Sequence, residues 1–186
     1  MKILKIPQKN WVSETTKHIM GGLHNTGYCI VESPIVITYR KNQINESLCE
    51  QLGYEIYELF SNSGTFVSNA GDVGIGHCGT IDNDWCSRFI HYFVNWLNKR
   101  GLQATTEKND ILVDGYKVCG MCVTRYGLID YSCGLIGINT NLEHIKQICT
   151  KPMVKVPKGL SEYGITTEEV EQMFLDFCEQ ENKRLK

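Results

Sequence analysis

The sequence predicts an α+β domain, a mainly antiparallel β-sheet with helices packed on it, and three observations predict it. The pair Asp114-Gly115 separates Ile111-Leu112-Val113 from Tyr116-Lys117-Val118. An Asp-Gly step between two such runs favours a type I′ hairpin, because both central residues can take positive φ. Further β-branched and aromatic runs, Tyr28-Cys29-Ile30-Val31 and Ile35-Val36-Ile37-Thr38-Tyr39, are separated by Glu32-Ser33-Pro34 and read as strands. Finally, Phe89, Phe93 and Trp96-Leu97 recur at helical spacing, as do Val170, Phe174 and Phe177-Cys178, so two amphipathic helices should dock on the sheet. With 186 residues, 42% of them hydrophobic, the chain suits one domain over residues 1–186 with a sizeable core, and two full domains would be crowded.

Taken in order, residues 1–6 alternate as a strand or a tail laid on the sheet, and residues 7–10 interrupt them at Pro7. Residues 11–22 are weakly helical, with Ser13 as N-cap and Gly21-Gly22 as the stop. After the two strands at 28–31 and 35–39 comes the polar turn Arg40-Lys41-Asn42-Gln43, then a short helix over 47–52 stopped by Gly53. Residues 54–60 alternate as a strand, 61–72 form a glycine turn, and 73–80 form a glycine-rich strand. Asp82-Asn83-Asp84 offers N-caps for the helix over 85–99, which Gly101 ends. The hairpin and its return strand occupy 109–141, and a short helix over 142–149 follows, ended by Pro152. Residues 153–157 are extended, 158–161 form a loop, and Thr166 or Thr167 caps the last helix, to about residue 183.

Composition narrows the function. A net charge of −2, with no stripe of basic residues interleaved with aromatics, gives no case for a nucleic-acid partner. No apolar run approaches the roughly 18 residues of a membrane span, and no signal segment opens the chain, so a soluble cytoplasmic protein without a membrane partner is expected. The nine cysteines, at 29, 49, 78, 86, 119, 122, 133, 149 and 178, are odd in number and irregularly spaced, which fits reduced thiols rather than a disulfide framework. Cys119-Gly-Met-Cys122 is a CxxC match, but it lies in a strand and no second pair completes a zinc site.

Two places could carry chemistry. Strict alternation along the second hairpin strand puts Lys117 with Cys119, Met121 and Val123, and Gly120 on the other face with Tyr116, Val118, Cys122 and Thr124. A lysine among apolar neighbours, near a glycine that lets a ligand approach the backbone, suits an anionic small molecule. Cys78, framed by Gly76 and Gly79, invites a nucleophile reading. Its neighbour His77 points to the opposite face of a strand, however, and could not easily act as its base.

The block Asn109-Asp110-Ile-Leu-Val-Asp-Gly-Tyr-Lys117-Val-Cys-Gly120 resembles the central motif of the biotin/lipoate protein ligase family: Asn-Asp, a short hairpin, then Lys, an apolar residue, a small residue and Gly. The later Gly137-Ile138-Asn139 resembles the strand that closes the pocket in these enzymes. A second match runs from Ser61 to Asp72. Ser61, Gly64, Thr65 and Gly71 fall on the family's Ser-Gly-Gly-Gly-Thr and Gly-Asn positions, with Asp72 where Asn is usual. Glu58 and Leu59 stand where the family carries paired arginines, and Asn62 and Ser63 replace two glycines. Those changes remove the bidentate phosphate forks and restrict how closely backbone N–H groups can approach a nucleotide.

The resemblance implies a ligase-type fold and a lipoate–protein ligase-like transferase. It would attach lipoate or octanoate, by way of an acyl-adenylate, to a lysine of a lipoyl-carrier domain like the glycine-cleavage H protein or the E2 component of a 2-oxoacid dehydrogenase. Lys117 would be catalytic and meet the carboxylate. Ser61, Ser63, Gly64, Thr65, Gly71, Asp72 and Gly120 would line the substrate pocket, and Asn109 and Asp110 would handle ATP and Mg²⁺, Asp110 being the candidate metal ligand. The chain ends without the C-terminal accessory domain that many such ligases carry, which implies a separate accessory protein. Two other readings stay open. Octanoyltransferases of the same superfamily use a cysteine after a similar helix, so Cys149, or Cys78, could be the nucleophile of an ATP-independent transferase, given a cation such as Lys117 or Lys151 to lower its pKa. The third reading is a non-catalytic binder that kept the pocket and lost the phosphate clamp.

Overall fold

The computed structural model describes residues 2–14, 25–38, 41–58, 65–80 and 84–185. Asp114 and Gly115 take φ of +51° and +83°, as a two-residue hairpin requires, and join β8 (Asp110–Val113) to β9 (Tyr116–Tyr126). β9 returns through Gly127 into β10 (Ile129–Ile136). Outward from β10 lie β6 (Val73–Thr80), β2 (Asn25–Ile30) and β1 (Lys2–Lys5), and β7 (Ala104–Glu107) forms the far edge. The result is a seven-stranded sheet in the order β1-β2-β6-β10-β9-β8-β7, antiparallel except where β1 runs parallel to β2. A second sheet, in the order β4-β3-β5, contains β3 (Ile35–Thr38), β4 (Glu55–Glu58) and β5 (Phe66–Ser68).

The helices differ from expectation mainly at their starts. α1 (Gln8–Glu14) begins where an interruption is predicted: Pro7, instead of breaking the chain, opens the first turn, its carbonyl accepting from Asn10 N at 2.9 Å. The remainder of that predicted helix lies outside the described residues. α2 (Glu46–Gln51) is capped by Asn45, and α4 (Leu142–Ile148) by Asn141, each side chain accepting a backbone N–H three residues on. α3 (Trp85–Asn98) follows Asp84, which takes φ +40° and makes no side-chain capping bond. α5 (Thr167–Arg184) starts in a complete capping box between Thr166 and Glu169. No described helix is long and apolar enough to cross a membrane.

Burial sets the layers. On one face of the large sheet, Trp85, Phe89, Phe93 and Leu97 of α3 pack with Val170, Phe174 and Phe177 of α5 over Val73, Ile75, Ile111 and Ile136. Arg88 forks onto Glu181 at 2.9 and 2.6 Å and ties the two helices together. On the other face, Ile6, Trp11, Cys29, Val31 and Cys78 join Ile35 and Ile37 of the small sheet. A third cluster, Val36, Ile44, Cys49, Tyr54 and Ile148, fastens α2 and α4 behind the small sheet.

Candidate active site

The site begins with one extra residue. Asp110 pairs with Gly120 and Ile111 with Cys119, but Leu112 pairs with Lys117, so Val118 has no partner on β8. Such a bulge re-aims the side chains on one side of it. Lys117 therefore leaves the face of Cys119 and Met121, which enter the helix-side core, and joins the face of Gly120. This corrects the strict alternation read from the sequence. The Lys117 ammonium lies over Gly120: a Cβ there would come within 2.8 Å of Lys117 Cε and Nζ. The β10 ladder stops at Ile136 opposite Cys119, so on that side the backbone of Lys117 is open to an incoming segment. Lys117 N donates to Val156 O at 2.9 Å and Lys158 N to Lys117 O at 3.0 Å, which lays residues 153–157 along the start of β9.

That segment delivers a residue the sequence reading missed. Lys155 Nζ lies 2.8 Å from Asp110 Oδ2 and 3.4 Å from Glu107 Oε1, while Lys117 Nζ lies 2.8 Å from Asp110 Oδ1. One carboxylate thus bridges two ammoniums. Burial pushes the Asp110 carboxyl up, but the two lysines outweigh it and hold the group below the usual carboxylate range. For Lys155, burial opposes the charge and the Asp110 and Glu107 carboxylates more than compensate, so it is held more firmly protonated.

These charges stand in a cleft of about 500 Å³, lined on its apolar side by Phe66, Val67, Leu135, Ile145, Pro152 and Met153. Thr65, Asp72, Asp110, Lys117 and Gly120 also line it, as does Cys149. Ser61, Ser63 and Gly64 lie outside the described residues. Asn109 does not share the wall with Asp110. It lies in the turn between β7 and β8 and lines a smaller cavity of about 260 Å³ beside His77 and Ser87. Gly71, at φ +92°, packs toward Asn139 and Thr167, whose polar atoms a Cβ would meet at 2.6 and 2.9 Å. The Asp72 carboxylate is fully used by the protein. Oδ1 accepts from Ile138 N (2.6 Å) and Asn139 N (2.9 Å), and Oδ2 from Ser68 Oγ (3.0 Å) and Asn69 N (2.9 Å). Burial pushes its pKa up against the pull of those donors. Asp72 is therefore the brace that fixes the end of β10 against the small sheet.

Neither candidate nucleophile has an activating setting. Cys78 is buried in the apolar cluster between the sheets and lines neither cavity, and burial raises its pKa. Cys149, at the end of α4, does face the cleft, but burial raises its thiol too and no cation lowers it, contrary to the expectation that Lys117 or Lys151 would.

An α+β sheet with helices packed on it, and a bulged hairpin strand that aims a lysine into an apolar cleft, is the architecture of a ligase-type catalytic domain. The family model of the lipoyl protein ligase A/B catalytic domain matches residues 22–178, and the chain belongs to that family. No curated protein sequence matches. Among solved structures, a bi-partite lipoate protein ligase from Thermoplasma acidophilum, studied with its E2 lipoyl domain, superposes with a TM-score of 0.81 at 11% identity, covering 95% of this chain and 81% of that one. The structure of Ta0514 from T. acidophilum with bound lipoic acid gives 0.79 at 11% identity, over 95% and 83%. A lipoate-protein ligase A bound with ATP gives 0.74 at 14% identity, over 95% and 83%.

Proposed function

We propose that this chain binds lipoate or octanoate in the cleft, activates it with ATP, and passes the acyl group to a lysine of a lipoyl-carrier domain. The observation that carries this reading is the pair of ammoniums, Lys117 and Lys155, held at the mouth of an apolar cleft by a single carboxylate. An acyl chain has apolar walls to lie against, and its carboxylate has two cations to meet. A carboxylate oxygen attacks the α-phosphorus of ATP and pyrophosphate leaves. The amine of the carrier lysine then attacks the acyl carbon and AMP leaves. Lys117 neutralises the carboxylate in the ground state and the developing charge at the acyl-phosphate bond in both steps.

The Lys117–Lys155 pair takes over the counter-charge role of the arginines that Glu58 and Leu59 replace. Among the described residues no group of three or more His, Cys, Asp or Glu could hold a metal. Mg²⁺ would therefore come with the nucleotide, Asp110 and Glu107 supplying the one or two carboxylates such an ion needs beyond the phosphates, and it would supply positive charge against the charge of the nucleotide. The T. acidophilum ligase is bi-partite and was studied with an E2 lipoyl domain, which supports a lipoyl domain as acceptor and an accessory chain as a second partner.

The test is AMP release from ATP and Mg²⁺ in the presence of lipoate, octanoate or biotin, with and without a lipoyl domain. Release that depends on lipoate or octanoate supports the reading. Its absence, with the acid bound, would leave a binder. Because Cys149 lines the cleft, an acyl-thioester on Cys149 without ATP, lost in Cys149→Ser, would favour the cysteine-dependent transferase.

Gly120 offers a sharper variant. The atoms that an added Cβ would meet are the flexible end of Lys117 and the Asp110 carboxylate, so Gly120→Ala should leave unfolding stability within about 1 kcal/mol of the parent. Displacing the Lys117 ammonium by an ångström should lower acyl activation about 100-fold. Normal turnover with an intact fold would show that the position of Lys117 over Gly120 does not matter.

A further inference from the structure

Cys122 on β9 and Cys133 on β10 are direct partners across the antiparallel ladder. Residues opposed in this way have Cα atoms about 4.5–5.5 Å apart, within the range of about 4.4–6.8 Å that a disulfide spans. Their side chains share the sheet face of Gly120 and Leu135, the same-face pair next along the ladder, and both of those residues line the cleft. Of the nine cysteines only these two and Cys149 keep some exposure; the other six are buried. The neighbouring Cys133, with the Thr124 hydroxyl, draws the Cys122 thiol down to about 7. Cys122 and burial together push Cys133 well up. One sulfur is thus poised to attack and its neighbour to resolve, in a sheet rigid enough to hold them together.

We propose that Cys122 and Cys133 form a redox-active dithiol that closes to a cross-strand disulfide by exchange with an external disulfide. The Cys122 thiolate attacks one sulfur of the incoming disulfide, whose S–S bond breaks and releases one thiolate. Cys133 gives its proton to that released thiolate or to water and attacks the Cys122 sulfur, displacing the second thiolate. Two cysteine thiols are oxidised to one disulfide, and one external disulfide is reduced to two thiols. The oxidant is either a linear low-molecular-weight disulfide from solution or a five-membered cyclic disulfide such as lipoate carries. The second source rests on the function proposed above and the first does not.

Reduced full-length protein is incubated with oxidised glutathione or, separately, with lipoic acid, then acid-quenched, alkylated and mapped by peptide mass spectrometry. A Cys122–Cys133 disulfide reversible by reductant is expected, with Cys122 reacting about tenfold or more faster than Cys149. Cys133→Ser should trap the oxidant as a mixed disulfide on Cys122, and Cys122→Ser should leave Cys133 unreacted, circular dichroism reporting that both variants keep the fold. Closure with glutathione alone assigns the linear source. Closure with lipoic acid that is lost in Lys117→Ala assigns the cleft-bound cyclic one, whereas closure with lipoic acid that survives Lys117→Ala assigns the same chemistry from solution. No Cys122–Cys133 link with either oxidant, or no adduct on Cys122 in folded Cys133→Ser, overturns the proposal. The glutathione arm needs no acyl site, so its result stands whether or not the protein proves to be a ligase.

Discussion

Replacing Lys117 with alanine is expected to reduce acyl activation by about 100-fold or more while leaving the fold intact. The side chain is about one-third exposed and packs over a glycine, so its removal opens no buried cavity, and Asp110 keeps Lys155 as a partner at 2.8 Å. What disappears is a preorganised cation at the position where charge develops, and such groups are worth about 100- to 1,000-fold in rate. Lys155→Ala should have the same direction and a smaller effect, because Lys155 reaches the acyl site through the Asp110 carboxylate it shares with Lys117. Initial rates of AMP and pyrophosphate formation, with the thermal transition recorded in parallel, check both variants. Equal activity of Lys117→Ala and the parent would remove the central residue from the account.

The second large effect concerns stability. Asp72→Ala should cost about 3 kcal/mol or more, read by urea denaturation, because four donors aim at one carboxylate in the interior. Each buried donor left without a partner costs roughly 1–3 kcal/mol. Asp72→Asn supplies the internal control. Its oxygen can still accept from Ile138 N and Asn139 N, its amide can donate to the Ser68 hydroxyl, and only Asn69 N then faces a donor. The asparagine variant should therefore lose about 1 kcal/mol. A similar cost for both variants would mean that the negative charge, rather than the count of satisfied donors, holds the end of β10.

The parts of the fold carried by periodicity were legible from residues alone. The hairpin announced itself through Asp114-Gly115, and α3 and α5 through stripes whose spacing only a helix accommodates. β5 and β7 were not read, because strands of three and four residues leave too short an alternation; Thr105-Thr106 was the available hint for β7. Lys117 was identified, but its face was not. A bulge is decided by how two strands pair, and only Gly120, able to accept a side chain lying on it, pointed that way. Lys155 was missed for the same kind of reason. It sits in an extended segment with no pattern of its own, whose place is fixed by hydrogen bonds to the backbone of Lys117, 38 residues earlier in the chain. Asp72 was recognised as a pocket position, but its role as a brace depends on Ile138 and Asn139, which no local reading connects to it.

The central claim is that the cleft beside Lys117 receives an acyl carboxylate, and a crystal structure of the protein with octanoate tests it most directly. The carboxylate is predicted within hydrogen-bonding distance of Lys117 Nζ, with Asp110 displaced from at least one lysine and the alkyl chain running against Phe66, Leu135 and Ile145. Octanoate bound elsewhere, with the Lys117–Asp110–Lys155 bridge unchanged, would contradict it.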